Sequence, residues 1–152
     1  MSGLASFINA DFQISELVLN GSMKSAEKWT FRGSDVIMKG NRLYAQNCTV
    51  ELTADSGKSV ISGKKGVMVM HISMELQGNV VYEDGNRTLK CDLMQYSIAG
   101  DRMDIPGDFT FIDKVKGTSL RGRHLTAEKG FSEVVIGEII SGETEINKKN
   151  GR

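Results

Sequence analysis

Residues 67–83, "VMVMHISMELQGNVVYE", constrain the fold of this chain more than any other stretch. Every second residue is apolar or small: Met68, Met70, Ile72, Met74, Leu76, Gly78, Val80 and Tyr82 alternate with Val69, His71, Ser73, Glu75, Gln77 and Asn79. A period of two puts one apolar row on one face of a β-sheet, whereas a helix would scatter the same residues around its circumference. On this pattern Met68, Met70, Ile72, Met74 and Leu76 point inward along one strand or one bent strand pair, and His71 faces the polar side. Gly78 interrupts the row, and a residue without a side chain there permits a bulge, a bend or a close backbone approach.

The rest of the chain has the same character. Its 152 residues fit one domain able to bury a core without staples, with residues 1–10 and 147–152 expected to be flexible ends. Seventeen Gly and a single Pro, Pro106, punctuate short runs rich in Val, Ile, Phe and Thr. Such runs ("KWTFRG", "SDVIMKG", "RLYAQNCTVELTADSG", "KSVISGKKG", "RTLKCDLMQYSIAG", "DFTFID", "HLTAEKG", "SEVVIGEIISG") read as strands joined by tight turns. Residues 12–18 read as a further strand, and no segment reads as a helix. A weak repeat links "MKGNRLYAQN", "LQGNVVYEDG" and "LRGRHLTAEKG", as expected for stacked hairpin-like units that cover one another's apolar faces.

Several chemistries find no support. "ADSGKS" lacks the first Gly of a phosphate loop and runs into strand-like "VISG", so it reads as a turn. His71 and His124 form no ligand pair, and Asp101, Asp104 and Asp108 of "DRMDIPGD" read as a solvated loop, not a calcium site. Cys48 and Cys91 lie in strand patterns, where Cys usually serves as a small buried hydrophobe; spacing alone does not decide whether they pair. No nucleophile motif is present, so the expectation is a non-enzymatic protein without cofactor or metal. Acidic and basic residues balance at 19 each, and no global field draws the chain to nucleic acid.

With "MELQGNVVYEDGNRTLKCDLMQYSIAGDRMDIPGDFTF" and "SLRGRHLTAEKG" in order, residues 34–140 resemble the OstA-like proteins of lipopolysaccharide export, most closely their LptC-type branch. The resemblance rests on the strand entering Gly78-Asn79-Val80, the hairpin through Asp84-Gly85-Asn86, the strand ending at Tyr96, and Gly122 before Leu125. It implies an all-β, elongated twisted jellyroll, open along one side, that carries acyl chains in an apolar trough. It also implies a periplasmic location, a membrane tether outside these residues, an inner-membrane ABC transporter complex as a partner, and a neighbouring jellyroll that receives the lipid.

The residues expected to line the trough are Met68, Met70, Ile72, Met74, Leu76, Val80, Leu89, Leu93, Phe109 and Phe111. Met suits flexible chains because its thioether side chain is unbranched and adaptable, although Met also fills ordinary cores. "SEVVIGEIISGETEI" reads as a pairing edge, with Val134, Ile136, Ile139 and Ile140 expected to accept a partner strand. Other readings remain: a carbohydrate-binding β-sandwich, which would want exposed aromatics where this chain has one Trp, Trp29, and 7% aromatics; a cupin-type enzyme; or a structural assembly module.

Overall fold

A computed structural model describes residues 12–22, 28–55, 57–70, 72–98, 100–128 and 133–144; the expected flexible ends and His71 lie outside these residues. The chain is all-β. Nine strands, β1 (Phe12–Ser22), β2 (Lys28–Lys39), β3 (Arg42–Ala54), β4 (Gly57–Val69), β5 (Ser73–Glu83), β6 (Arg87–Ser97), β7 (Arg102–Asp113), β8 (Thr118–Glu128) and β9 (Glu133–Thr144), follow one another in a single antiparallel sheet. The order is a plain meander, β1 to β9, and the sheet does not close, so β1 and β9 are its two edges. This is the open jellyroll-like architecture anticipated above.

One sheet without helices cannot bury residues completely unless it folds upon itself. Phe31, Val36, Leu43, Val50, Met68, Val80, Leu89 and Ile105 are nonetheless fully buried. The fold line can be located from the backbone. Register breaks between Arg32 and Ile37 in β2, Ser62 and Lys65 in β4, Gln77 and Val80 in β5, Cys91 and Gln95 in β6, Ile105 and Asp108 in β7, and at Arg121/Gly122 in β8. These positions are cross-strand neighbours of one another, so the breaks form a transverse crease. Asp35, Asn47, Asn79 and His124, all with φ between 46° and 60°, sit on it in mid-strand. Three of the four are Asn or Asp, the non-glycine residues that best tolerate the left-handed region.

The crease also changes the rhythm of burial. In β2 the inward positions run Phe31, Gly33, then Val36; in β3, Ala45 then Cys48; in β4, Gly63 then Gly66; in β6, Cys91 then Met94; in β8, Gly122 then Leu125. A step of three replaces the step of two. The extra residue is a bulge that keeps the apolar face inward as the strand turns the corner. In β5 and β7 the step stays at two, and the register breaks with their neighbours take up the difference.

Several sequence expectations are sharpened or corrected here. Of one strand or one strand pair for the apolar row of residues 67–83, the structure has the pair, divided by the turn between β4 and β5. Met68 pairs with Met74 across that hairpin, Met70 is half-buried in the turn, and Ile72 projects to solvent with 55% of its surface exposed. Ile72 therefore does not point inward. Conversely, "KWTFRG" and "SDVIMKG" are the two halves of β2, and "DFTFID" and "HLTAEKG" are the second halves of β7 and β8. "DRMDIPGD" is likewise no loop: Asp104 and Asp108 lie in β7, with Pro106 at its bulge. The repeated Gly-Asn is not equivalent in its copies either, since Gly40 lies in the β2–β3 turn whereas Gly78 lies on the crease.

Gly122 tests the crease. A Cβ at this position would lie 2.5 Å from the Glu138 carbonyl oxygen and 2.9 Å from the Phe109 ring. Gly122→Ala is expected to cost about 1–3 kcal/mol, as overpacked interiors do. Urea unfolding measures it, and a change within error would show that the corner has room to spare.

Candidate functional site

The apolar interior between the two layers is the first element of the site. Met68, Met74 and Leu76 line it from the layer that ends in the β4–β5 turn, and Val80, Leu89 and Phe109 from the layer across the crease; all six are buried. Phe111 and Leu93 are half-buried, Phe111 packed against the core, while Ile72 stays outside. The same space takes Phe31, Leu43, Ile61, Met94, Met103, Ile105 and Leu125, which the sequence reading did not place in the lining. Period-two patterning was present at these positions too, but only the longest stripe stood out.

Where the layers part, a cavity of about 290 Å³ opens. Leu52, Lys58, Ser59, Tyr82, Asp84 and Arg87 come from one layer; Tyr96, Asp101, Met103 and Ala127 come from the other. In a flat sheet these groups could not meet. Tyr82 pairs with Leu89 on β6, and Leu89 is roughly 23 Å from Tyr96 along that strand at about 3.3 Å per residue. Folding at the crease closes this distance and makes the cavity the mouth of the interior.

The mouth is apolar within and charged at its rim. Leu52, Met103 and Ala127 supply the apolar wall. Tyr82 donates its hydroxyl to Asp84 Oδ2 (2.9 Å) and shares a hydrogen bond with Ser59 Oγ (3.3 Å), while Tyr96 donates to Asp101 Oδ1 (2.7 Å). Arg87 reaches Asp84 Oδ2 at 3.2 Å and Asp113 Oδ2 at 4.0 Å, and Lys58 reaches Glu51 at 3.3 Å. Tyr82 and Tyr96 thus turn their rings into the core and their hydroxyls to the mouth, the usual use of an amphipathic aromatic. Tyr82, Tyr96, Asp84, Asp101 and the "ADSGKS" residues Lys58 and Ser59 stood out in the sequence only in separate segments and for other reasons, because the pairs are brought together only by folding.

Burial pushes the Tyr82 hydroxyl well above its ordinary value, so it remains a donor throughout the neutral range. Burial alone would raise Asp84 as well. Backbone N–H groups of Arg87 and Asn86, the Tyr82 hydroxyl and the Arg87 charge outweigh it and hold the carboxyl below the usual range. A depressed folded-state pKa gives stability that is present above the unfolded carboxylate value and lost as pH falls through the folded one.

Cys48 and Cys91 are free, buried thiols on the inner side of the crease, and burial pushes them up to about 11 and about 12. Both therefore stay protonated at neutral pH. Among the described residues no group of His, Cys, Asp and Glu is placed to hold a metal ion, and His124 is an exposed crease residue. Ala54 pairs with Gly57 at the β3–β4 hairpin, and β4 follows it, not a helix. Trp29 is buried, so it offers no sugar platform.

The second element is the edge. Among the described residues β9 pairs only with β8, and Val134, Val135, Ile139 and Ile140 are exposed while Ile136 packs against the core. No helix among the described residues is long and apolar enough to cross a membrane. No protein-family model matches the chain, and no curated protein matches it.

Two measurements test this geometry. Asp84→Asn should narrow the difference in unfolding free energy between pH 7 and pH 3, since the stability that the depressed carboxyl contributes is lost as acid protonates it; an unchanged pH profile would show that Asp84 is not perturbed. A thiol reagent at pH 8 should label Cys48 and Cys91 only at the rate of unfolding, because neither thiolate forms in the native state. Rapid stoichiometric labelling of the native protein would contradict their burial.

Proposed function

We propose that this chain is a non-enzymatic carrier of lipopolysaccharide or a closely similar amphiphile, working in the periplasm as one jellyroll of an export bridge. The observation that carries the proposal is the interlayer mouth: an apolar interior opening through a cavity of about 290 Å³ with Lys58 and Arg87 at its rim. An acyl chain matches the apolar wall, and the anionic head of an amphiphile would exchange with Glu51 and Asp84 as partner of Lys58 and Arg87. The lining and the core are the same surface, so uptake requires the layers to part. No disulfide joins the layers among the described residues, and strands crossing the crease connect them.

The β9 edge fits the second half of the reading. Among the described residues it has no second strand beside it, and its exposed Val and Ile side chains are ones that a strand of a neighbouring jellyroll could cover. An inner-membrane ABC transporter complex would supply the lipid. A purely structural assembly module would use the same edge but would leave the interior without cargo.

Extraction of the purified protein followed by mass spectrometry should yield a phosphorylated glycolipid. A photo-crosslinking residue at Phe111 should form lipid adducts, whereas one at Tyr44 on the outer face should not. Equal labelling at both positions, or lipid-free extracts from protein made in a lipopolysaccharide-bearing host, would remove the carrier role. Lys58→Glu should reduce uptake of the anionic amphiphile several-fold while changing stability by no more than about 0.5 kcal/mol, as exposed substitutions do. Ile139→Pro, placed at the β9 bulge, should weaken strand-mediated association while leaving lipid uptake intact.

A further inference from the structure

Three Asn-x-Ser/Thr triplets have no part in the carrier role: Asn20-Gly21-Ser22, Asn47-Cys48-Thr49 and Asn86-Arg87-Thr88. Such a triplet is the acceptor for N-linked glycans, which occupy surface loops. The fold separates the three. Asn20 lies inside β1, where its Oδ1 accepts a hydrogen bond from Thr30 Oγ1 at 2.7 Å, and Asn47 lies inside β3 at the crease, where its Nδ2 donates to Ser34 Oγ at 3.4 Å. Asn86 alone lies in a turn.

Gly85, with φ of 91°, and Asn86 are the two central residues of the β5–β6 hairpin, which closes as the Asp84 N–H donates to the Arg87 carbonyl at 3.2 Å. The backbone of Asn86 is engaged on both sides. Its N–H donates to Asp84 Oδ1 at 3.0 Å, and its carbonyl accepts from the Lys114 N–H at 2.7 Å. The side chain is exposed at the rim of the mouth, and a Cβ built on Gly85 beside it would meet nothing within 4 Å. A substituent on Asn86 Nδ2 therefore meets open space.

From this arrangement we infer that Asn86 is an N-glycosylation site, and that the triplets at Asn20 and Asn47 are not used. Asp84 selects the same position by its place in the sequence. Oligosaccharyltransferases of the bacterial periplasm ask for an acidic residue two positions before the asparagine, a charged handle for the enzyme. Asp84 holds that place before Asn86, whereas Val18 and Ala45 hold it before Asn20 and Asn47. The donor is an oligosaccharide joined through pyrophosphate to a polyprenyl lipid. Asn86 Nδ2 attacks its anomeric carbon, a C–N bond forms as the bond from that carbon to the pyrophosphate oxygen breaks, and the lipid pyrophosphate leaves. The proton lost from the amide passes to a carboxylate of the transferase.

Thr88 sets the order of events. The transferase reads its hydroxyl, yet in the fold Thr88 is only 7% exposed, and Asp84 is held by Tyr82 and Arg87. Transfer therefore precedes closure of the β5–β6 hairpin, and the finished turn carries the glycan without displacing a packed group. The inference rests on the periplasmic location proposed above and not on lipid carriage.

The full chain, exported to the periplasm of cells that hold a bacterial oligosaccharyltransferase and its lipid-linked donor, tests it by intact mass and glycopeptide sequencing. A known acceptor protein in the same cells is the positive control. The expected result is the added mass of one glycan, located at Asn86 and absent from cells without the transferase. Asn86→Gln and Asp84→Asn should abolish it, Thr88→Ser should retain it, and Asn20→Gln and Asn47→Gln should leave it unchanged; circular dichroism checks that the variants fold. No added mass while the control is modified, an addition that survives Asn86→Gln, or equal occupancy of Asn20 or Asn47 would each overturn it. A glycosylated protein that yields no lipid would remove the carrier role and leave this site standing.

Discussion

Space on the inside of a corner is what this architecture must solve first. When a sheet folds sharply upon itself, inward side chains at the fold line converge, and only the smallest can remain there. The inward residues at the crease are Gly33, Ala45, Cys48, Gly63, Gly66, Cys91 and Gly122, all buried. A Cβ at Gly33 would come within 2.7 Å of the Ala45 Cβ, and one at Gly66 within 2.6 Å of the Cys48 sulfur. Four of the glycines and both cysteines thus answer one steric demand. Away from the corner the layers diverge, and the lining grows to Phe31, Leu43, Met68, Leu89 and Leu125. The interior is a wedge, narrow at the crease and widest towards the mouth at Tyr82 and Tyr96.

The all-β class was legible from alternation and glycine spacing, and so was the inward direction of Met68, Met74, Leu76, Val80 and Leu89. Strand boundaries were less so, for opposite reasons at two kinds of site. In residues 67–83 the alternation runs unbroken through a tight hairpin, so two strands read as one and Ile72 looks inward. At Gly33 and His124 a bulge shifts the buried face by one residue inside a strand, so one strand reads as two. A period-two reading treats loss of phase as an end, whereas here it marks a corner. The mouth was not legible, because Tyr82 and Tyr96 become neighbours only through the fold.

Packing against an opposite layer and holding cargo place different demands on the same side chains. A rigid core favours branched residues with few rotamers, while a surface that exchanges one set of neighbours for another favours long unbranched ones. Met68, Met74, Met94 and Met103 are buried between the layers. Met68 and Met74 form a cross-strand pair by the β4–β5 turn and Met103 lines the mouth, whereas Met94 is the inward residue that follows Cys91 at the crease. Most inward residues on the crease are small, and the methionines flank them.

The two edges complete the picture, because they are not alike. On β1, Ile14, Leu17 and Leu19 are half-buried and pack against the core, while Val18 is exposed. On β9, Val134, Val135, Ile139 and Ile140 are all exposed, on both sides of its bulge. A contact of β9 with a second β9 would be two-fold and closed, whereas β9 against a dissimilar edge is heterologous and can continue. Within the described residues β9 is the more apolar and exposed of the two edges, so a contact between β9 and β1 would join unlike surfaces.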